Sequence, residues 1–508
     1  VLSALYEAVG VFSGGGRIYP EGINIVFGPQ YGVTDPLSSF FLIILSLSAV
    51  AVLIYAKGYI KPYLGRKSPA QISLHYCGLG VLYLSMLLVV TLRDGFSFLF
   101  AWEVMTLSSF VLMLFDAERR EVRRAALSYL ILMHVGFLFL LAGFVTLYAS
   151  GLPASFDALA LYGEQGGNII PLFIVFLIGF GMKAGIFPLH VWLPEAHPAA
   201  PAHISAFMSG VMIKTGVYGV MRVVSCFDSH LFAIGLIVLC IGAVTGLWGV
   251  ILAALQNDVK KLLAYSSIEN IGIIFIALGT ALLGKAEGSD PIFYAGMAGA
   301  LLHTLNHSFF KSLLFMGAGN IYTATHTTSL DALGGLGRHM PVTGLLFLAG
   351  TTAICALPPL NGFVSELLIY LGMLDGIASG SDVLASAAGL AALALIGGVV
   401  ILAFTKLYGT VFLGAPRTHE VAEASEVDNF RIAAMALPLA GILFIGLFPQ
   451  TAVSAVTRAA GFFIHHPADA ADYLLSPTLA AVSRTAWLLI LVVGLLAWLR
   501  SRALRTRR

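Results

Sequence analysis

Between Gly179 and Arg222 the chain reads GFGMKAGIFPLHVWLPEAHPAAPAHISAFMSGVMIKTGVYGVMR, two apolar segments that each enclose a lysine, Lys183 and Lys214. The connector between them is rich in proline and histidine: Pro188, His190, Pro194, His197, Pro198, Pro201 and His203. A charged side chain in hydrocarbon costs at least about 3 kcal/mol on insertion scales, so such residues rarely persist without a role. Proline removes a backbone donor, and a membrane tolerates the break only where protein or water satisfies the freed carbonyls. The stretch predicts a helical membrane protein that encloses a polar, hydrated path lined by lysines.

The rest of the chain agrees. Hydrophobic residues make up 58% of 508 and charged residues 11%, against about 25% charged in a soluble domain. The small net charge of +2 carries no signal for nucleic acid. Cys77, Cys226, Cys240 and Cys355 stand singly, so neither a disulfide framework nor an iron–sulfur site is suggested. Residues 1–34 form an external, Gly-rich segment without a full span. Thirteen apolar stretches of about 20 residues follow: 36–56, 71–92, 95–115, 125–149, 169–187, 203–224, 231–255, 262–283, 292–319, 341–373, 385–413, 431–449 and 482–499.

Basic residues orient these spans. With the N-terminus on one side, the opposite side collects Lys57, Lys61, Arg66, Lys67, Arg119, Arg120, Arg123, Arg124, Lys260, Lys261, Arg338, Arg417, Arg431 and the tail arginines. The first side holds only Arg17, Arg93, Arg222, Lys285, Arg458 and Arg484. The richer side is expected to be the cytoplasm of a bacterial or archaeal cell, with the C-terminus there, and the tail RSRALRTRR reads as an anchor on anionic lipid.

Numbering the spans reveals a repeat. The second to sixth form one unit (71–224) and the seventh to eleventh another (231–413), flanked by a first helix and loop (35–70) and a C-terminal part (414–508). Five spans per unit put the two units in opposite orientations. The second helix of each carries a glutamate, Glu103 and Glu269, and the third carries histidine, His134 in one and His303 with His307 in the other. The fourth is broken in both, by Pro188 after Lys183 and by Pro358, Pro359 and Gly362 before Glu366. The fifth holds Lys214 or Lys406. Breaks at matching positions of inverted halves point to a transport site. The expected fold is thus an all-α polytopic membrane protein with two inverted five-helix repeats and discontinuous helices.

The motifs WEVMTLSS, KAGIFPLHVWLPEAHPAAPAHISA, KTGVYG, KKLLAYSSIENIG, NHSFFKSLLFMGAGNIY, LGGLGRHMP and ALPPLNGFVSE resemble the antiporter-like subunits of respiratory complex I and its relatives. SSIENIG and ALPPLNGFVSE are most similar to the membrane-bound hydrogenase branch, of the hydrogenase-4 component B and formate hydrogenlyase subunit 3 type. The resemblance covers roughly residues 30 to 450. It implies about two further helices upstream, so a truncated chain is expected. It also implies that Glu103 is the glutamate of a first half-channel, Lys183 its partner on the broken helix, and Lys214 the lysine of the following helix. His303 and His307 would belong to a central connecting helix, Glu366 to the second broken helix, and His326 to a position just past the connecting helix. Some relatives carry lysine where this chain has Glu366.

A physical reading stands beside these roles. Lost hydration disfavours the charge on a buried lysine and a close carboxylate restores it, so such a pair can take up or release a proton. His303, His307 and Lys311 recur at four-residue spacing and share one helix face. Bland alternatives attach to each. Glu103 with Lys183, and Lys214, could be structural ion pairs; His303 and His307 could serve carbonyls near a kink; Lys311 and Lys406 could snorkel to an interface. Glu269 could be solvated near its span's end. His190, His197 and His203 sit among prolines, which favours a proton path or structure over a metal.

No metal, cofactor or catalytic motif is read from the sequence, so chemistry would lie on other chains. The expected function is proton translocation, with Na+ as an alternative ion, within a hydrogenase or complex I-like assembly of other membrane subunits in the lipid bilayer. A subunit of an Mrp-type multisubunit cation/proton antiporter is the other reading.

Overall fold

The computed structural model describes residues 1–14, 17–19, 32–380, 382–463 and 469–505. Residues 15–16 and 20–31 of the expected external segment, and Arg507 and Arg508 of the basic tail, lie outside the described residues. Among the described residues the chain is helical apart from its connecting loops and an antiparallel pairing of Arg17–Tyr19 with Gly32–Thr34.

Ten helices are long and apolar enough to cross a membrane, by length and composition, among the described residues: Pro36–Tyr63, Pro69–Thr91, Gly95–Asp116, Arg120–Ala149, Ala202–Val224, Leu231–Leu255, Val259–Glu287, Val383–Phe412, Asn429–Leu447 and Pro477–Leu496. The other three expected spans differ for identifiable reasons. Segment 169–187 yields the shorter helix Ile169–Ala184, ended by Gly185 in the left-handed region at φ 81°. Segment 341–373 divides into Pro341–Ile354 and Asn361–Ala378, with Pro358 and Pro359 between them. Segment 292–319 lies inside a 36-residue helix, Asp290–Thr325, whose run of His303, Asn306, His307 and Lys311 lowers its apolar character. The multi-pass architecture stands; a count of thirteen does not follow from length and composition alone.

Local chemistry sets the helix ends. Asp35, Asp94 and Asp258 cap their helices by accepting from the backbone N–H three residues on, and Ser68 with Gln71 closes a capping box. Small residues let the central helices approach closely. A Cβ added at Gly272 would collide with the backbone of Gly246 on the neighbouring helix.

Helix Ala202–Val224 is wholly enclosed, Val259–Glu287 is enclosed from Ser266 to Gly284, and Asp290–Thr325 is buried along most of its length. Leu127, Ile131, Leu138 and Val145 of helix Arg120–Ala149 face outward, as a lipid-contacting surface requires. Three arginines read from the sequence as loop charges are instead buried: Arg431, paired with Asp428 at 2.6 Å, and Arg93 and Arg222, which both pair with Asp35, Arg222 at 2.9 Å. The pairs on Asp35 bind the start of helix Pro36–Ile60 to the end of Ala202–Val224.

Candidate functional site

The buried ionisable groups fall on helices that meet in the middle of the bundle. Glu103 sits mid-helix in Gly95–Met113 and Lys183 one residue before the end of Ile169–Ala184. They do not touch. Glu103 Oε2 lies 3.3 Å from His134 Nε2. Lys183, fully buried, donates to Thr106 Oγ1 at 3.1 Å and to Tyr129 OH at 3.0 Å. The Glu103–Lys183 pairing is thus not a direct contact. Thr106 stands three residues after Glu103, so the lysine takes the hydroxyl one turn along and the glutamate turns to the third helix. The two charges still act on each other through space.

His134 Nδ1 lies 2.9 Å from Leu130 O, one turn back on its own helix. If that nitrogen donates to the carbonyl, one further proton remains for the contact with Glu103. It resides on the imidazole or on the carboxyl group, and this is the simplest form of a proton-holding pair.

Lys214 follows a π-helical turn, Met208–Met212, inside helix Ala202–Val224. A π turn leaves a carbonyl without its usual α-helical donor, and such turns recur at functional sites. Lys214, fully buried, donates to that of Ser209. Nothing in the residue pattern signals this turn, because Met, Ser, Gly and Val continue the apolar run.

Helix Asp290–Thr325 carries the next group. His303 Nε2 is 3.0 Å from Asn270 Oδ1, and its Nδ1 is 3.0 Å from Ser365 Oγ. Asn270 Nδ2 donates to Glu269 Oε2 at 2.7 Å. One hydrogen-bonded chain thus runs from Glu269 through His303 to Ser365, which adjoins Glu366 on the second broken helix. Asn306 and Asn361 clasp the same break, Asn306 Nδ2 reaching the Asn361 carbonyl at 2.8 Å. His307 is fully buried with neither ring nitrogen bonded to protein, within electrostatic range of Lys214, Lys311, His303 and His197. Lys311, also fully buried, donates to Leu263 O at 2.8 Å and to Ser266 Oγ, and interacts through space with Glu269.

Burial decides several open readings. Glu269 is enclosed rather than solvated, and Lys311 does not snorkel. Glu366 is likewise buried beyond the Pro358–Pro359 break. Lys406 belongs elsewhere: it donates to Ala254 O, Gln256 O and Asn257 Oδ1 at 2.9–3.2 Å, closing the C-terminal end of helix Leu231–Leu255. His326 is exposed, with φ 55°, and ends helix Asp290–Thr325. Neither joins the buried groups. His203 is buried and pairs with His75, Nε2 to Nε2 at 2.7 Å. Among the described residues no cluster of three or more His, Cys, Asp or Glu is placed to hold a metal ion.

Thr106, Tyr129, His75, Asn270 and Ser365 were not expected as partners. Asn270 and Ser365 do stand beside the glutamates of SSIENIG and VSELL, which was a usable signal.

Three comparisons bear on this arrangement. The family profile described as NADH:quinone oxidoreductase/Mrp antiporter, TM matches residues 93–394. Hydrogenase-4 component B of Escherichia coli is 35% identical over 438 residues, 85% of this chain and 64% of that protein. Formate hydrogenlyase subunit 3 of the same organism is 39% identical over 256 residues, 50% of this chain and 42% of that protein. The chain thus spans less than two thirds of both relatives. A chain of the Mrp complex from Dietzia sp. superposes with a TM-score of 0.77 at 20% identity, covering 95% of this chain and 92% of that one. At that identity the likeness shows the fold.

Proposed function

The chain belongs to the NADH:quinone oxidoreductase/Mrp antiporter transmembrane family, and on that premise we propose that it is the proton-translocating subunit of a multisubunit membrane redox complex. One observation carries the reading. A succession of ionisable groups, Glu103 with the half-exposed His134, then the enclosed Lys183, Lys214, His303 with His307, Lys311 with Glu269, and Glu366, runs between the two helix breaks. Enclosed charge on this scale is costly and marks ion or proton pathways.

In this proposal the two breaks belong to inverted five-helix units, 71–224 and 231–413. The Glu103–His134 pair sets the charge beside Lys183. When the pair's proton sits on the carboxyl group, Lys183 loses the anion in its field and its own proton is free to move toward Lys214. Lys214, His307 and Lys311 then exchange protons along the central helix, and the hydrogen-bonded row Glu269–Asn270–His303–Ser365 couples that transfer to the second break and Glu366. The basic loops and the C-terminus face the cytoplasm. Reducing power and its cofactors reside on partner subunits.

The test uses inverted membrane vesicles containing the intact complex. Proton uptake driven by the complex's reductant should disappear in Lys214→Ala and Lys183→Ala vesicles while the complex stays at normal abundance. Uptake at the wild-type rate in both would refute the role. Exchange of Na+ for H+ driven by a cation gradient, with no redox partner present, would favour the Mrp-type antiporter reading.

A further inference from the structure

Outside the row of groups just described, two imidazoles face each other in the interior. His75, in helix Pro69–Thr91, and His203, in helix Ala202–Val224, are 4% and 0% exposed, and their Nε2 atoms are 2.7 Å apart. At that distance one nitrogen carries the hydrogen and the other accepts it, so each ring's remaining nitrogen, Nδ1, is complementary to the other's. His203 Nδ1 is enclosed and bonded to no protein atom.

The pair lies between the basic loops and the buried lysines. On its outer side the Phe115 ring rests on His75 at 4.7 Å, and Lys67, bridged to Asp116 at 3.4 Å, lies 5.3 Å from the centre of the Phe115 ring. Lys260, near the start of helix Val259–Glu287, is within electrostatic range of His203 and of His197. His197 is fully buried, bonded through neither ring nitrogen, and in range of Lys214 and Lys311. The titratable groups around the pair are therefore Tyr76 beside His75, Tyr59 with Tyr63 behind it, Lys260 with Tyr322, and the Lys67–Asp116 bridge beyond Phe115. No carboxylate is bonded to either imidazole among the described residues, so the pair is not an ion pair holding two helices together.

We propose that His75 and His203 form the inlet through which protons pass from the side of the basic loops to Lys214, a step that rests on the translocation role above. A proton arriving at Nδ1 of His75 drives the shared Nε2 hydrogen across to His203. His203 then releases its own Nδ1 hydrogen inward, toward Lys260 and His197. One proton enters and one leaves, and each ring is left as the opposite tautomer; the next cycle requires the contact to open so that each imidazole exchanges its hydrogen between Nδ1 and Nε2 through a neighbouring donor and acceptor. His197 carries the proton on to Lys214.

The test compares wild-type vesicles of the intact complex with His75→Gln, His203→Gln and the double variant, alongside Lys214→Ala. Proton uptake should fall on the order of tenfold in each histidine variant, no further in the double, and recover partly when free imidazole is added. Recovery by imidazole is a response that a purely structural pair would not give. Unchanged uptake in both single variants, or a loss that imidazole does not reverse, would overturn the inlet. If Lys214→Ala also pumps normally, the translocation role fails rather than the inlet alone. Should the variants fail to accumulate, ¹⁵N spectra of labelled histidine in the wild-type complex decide. A shared Nε2 hydrogen that exchanges with the medium within milliseconds supports the inlet, and one retained for seconds refutes it.

Discussion

Glu103 and His134 face each other at 3.3 Å, Oε2 to Nε2, with the glutamate four-fifths enclosed and the histidine half exposed at the bundle's edge. The anion that governs Lys183 is therefore itself governed by a group open to the surroundings.

This arrangement orders the effects of substitution. Glu103→Gln and Lys183→Ala should each remove most proton translocation with assembly retained, and the double variant should be little worse, since both act on one unit. His134→Ala should give an intermediate loss, on the order of tenfold. Vesicle proton uptake together with membrane abundance reads all four. Abundance that drops in the single variants and recovers in the double would indicate a structural pair.

The second break has its own expectation. Pro358→Ala with Pro359→Ala should let helices Pro341–Ile354 and Asn361–Ala378 draw toward one continuous backbone. That disturbs the Asn306–Asn361 clasp and the setting of Ser365 beneath His303. Pumping should fall more than abundance. Full translocation in this variant would show the break to be incidental.

Lys406 should behave unlike Lys214, although both sit on the fifth helix of their proposed units. Its ammonium serves two carbonyls and an amide oxygen at a helix C-terminus. Lys406→Ala should lower stability by about 1 kcal/mol and leave translocation close to wild type. A thermal shift measured in detergent, set beside vesicle pumping, checks both halves. Pumping lost at unchanged stability would return Lys406 to the pathway.

Lys67 joins two loops between spans, donating to Phe115 O and Glu118 and bridging Asp116. Burial works against its charge, but Glu118 and Asp116 outweigh it and hold the ammonium above its usual 10.5. The hydrogen bond from Lys67 in turn holds Glu118 below its usual 4.5. The Glu118 contribution is present above 4.5 and fades as pH falls through its lowered value. The Lys67 contribution is complete below 10.5 and fades as pH rises through its raised value. A spin label placed by Arg66→Cys should keep constant mobility between about pH 5 and 10 and loosen only in acid or strong alkali, more so at high salt. Loosening near pH 7 would contradict the clamp.

Arg222 is enclosed against Asp35, with Arg93 on the same carboxylate. Arg222→Ala should cost roughly 3–5 kcal/mol, because it removes one partner from a buried pair. Asp35→Asn combined with Arg222→Met should restore part of it. Unfolding in detergent measures both, and an unchanged midpoint for Arg222→Ala would place the pair at a wet surface.

Much of this molecule is legible in its sequence. Apolar length gives most of the spans, and Pro188 and the Pro358–Pro359 pair mark both breaks, because a missing N–H and a fixed φ act locally. Glu103, Lys183, Lys214, His303, His307, Lys311, Glu269 and Glu366 stand out because charge is rare in apolar runs, and all are at least four-fifths enclosed. The partners were not legible. Which neighbour Glu103 meets depends on the rotation of helix Arg120–Ala149 about its axis, and span-finding leaves that rotation open. Arg93 and Arg222 looked like loop charges because they lie at span ends, where burial is set by what packs over them. Lys406 matched Lys214 by position in the unit, yet its depth is set by the loop at Gln256.

The π-helical turn at Met208–Met212 separates His203 from Lys214. Eleven residues of regular α-helix turn through about 1100°, which would set both side chains on nearly the same azimuth. The wider turn accommodates one residue more, so the azimuths part by roughly a quarter of a circle. One rod can therefore present an imidazole to helix Pro69–Thr91 and an ammonium to the central helix. Were the same eleven residues to wind as a regular α-helix, the two would fall onto one side, and the helix could then address only one of its two neighbours at a time.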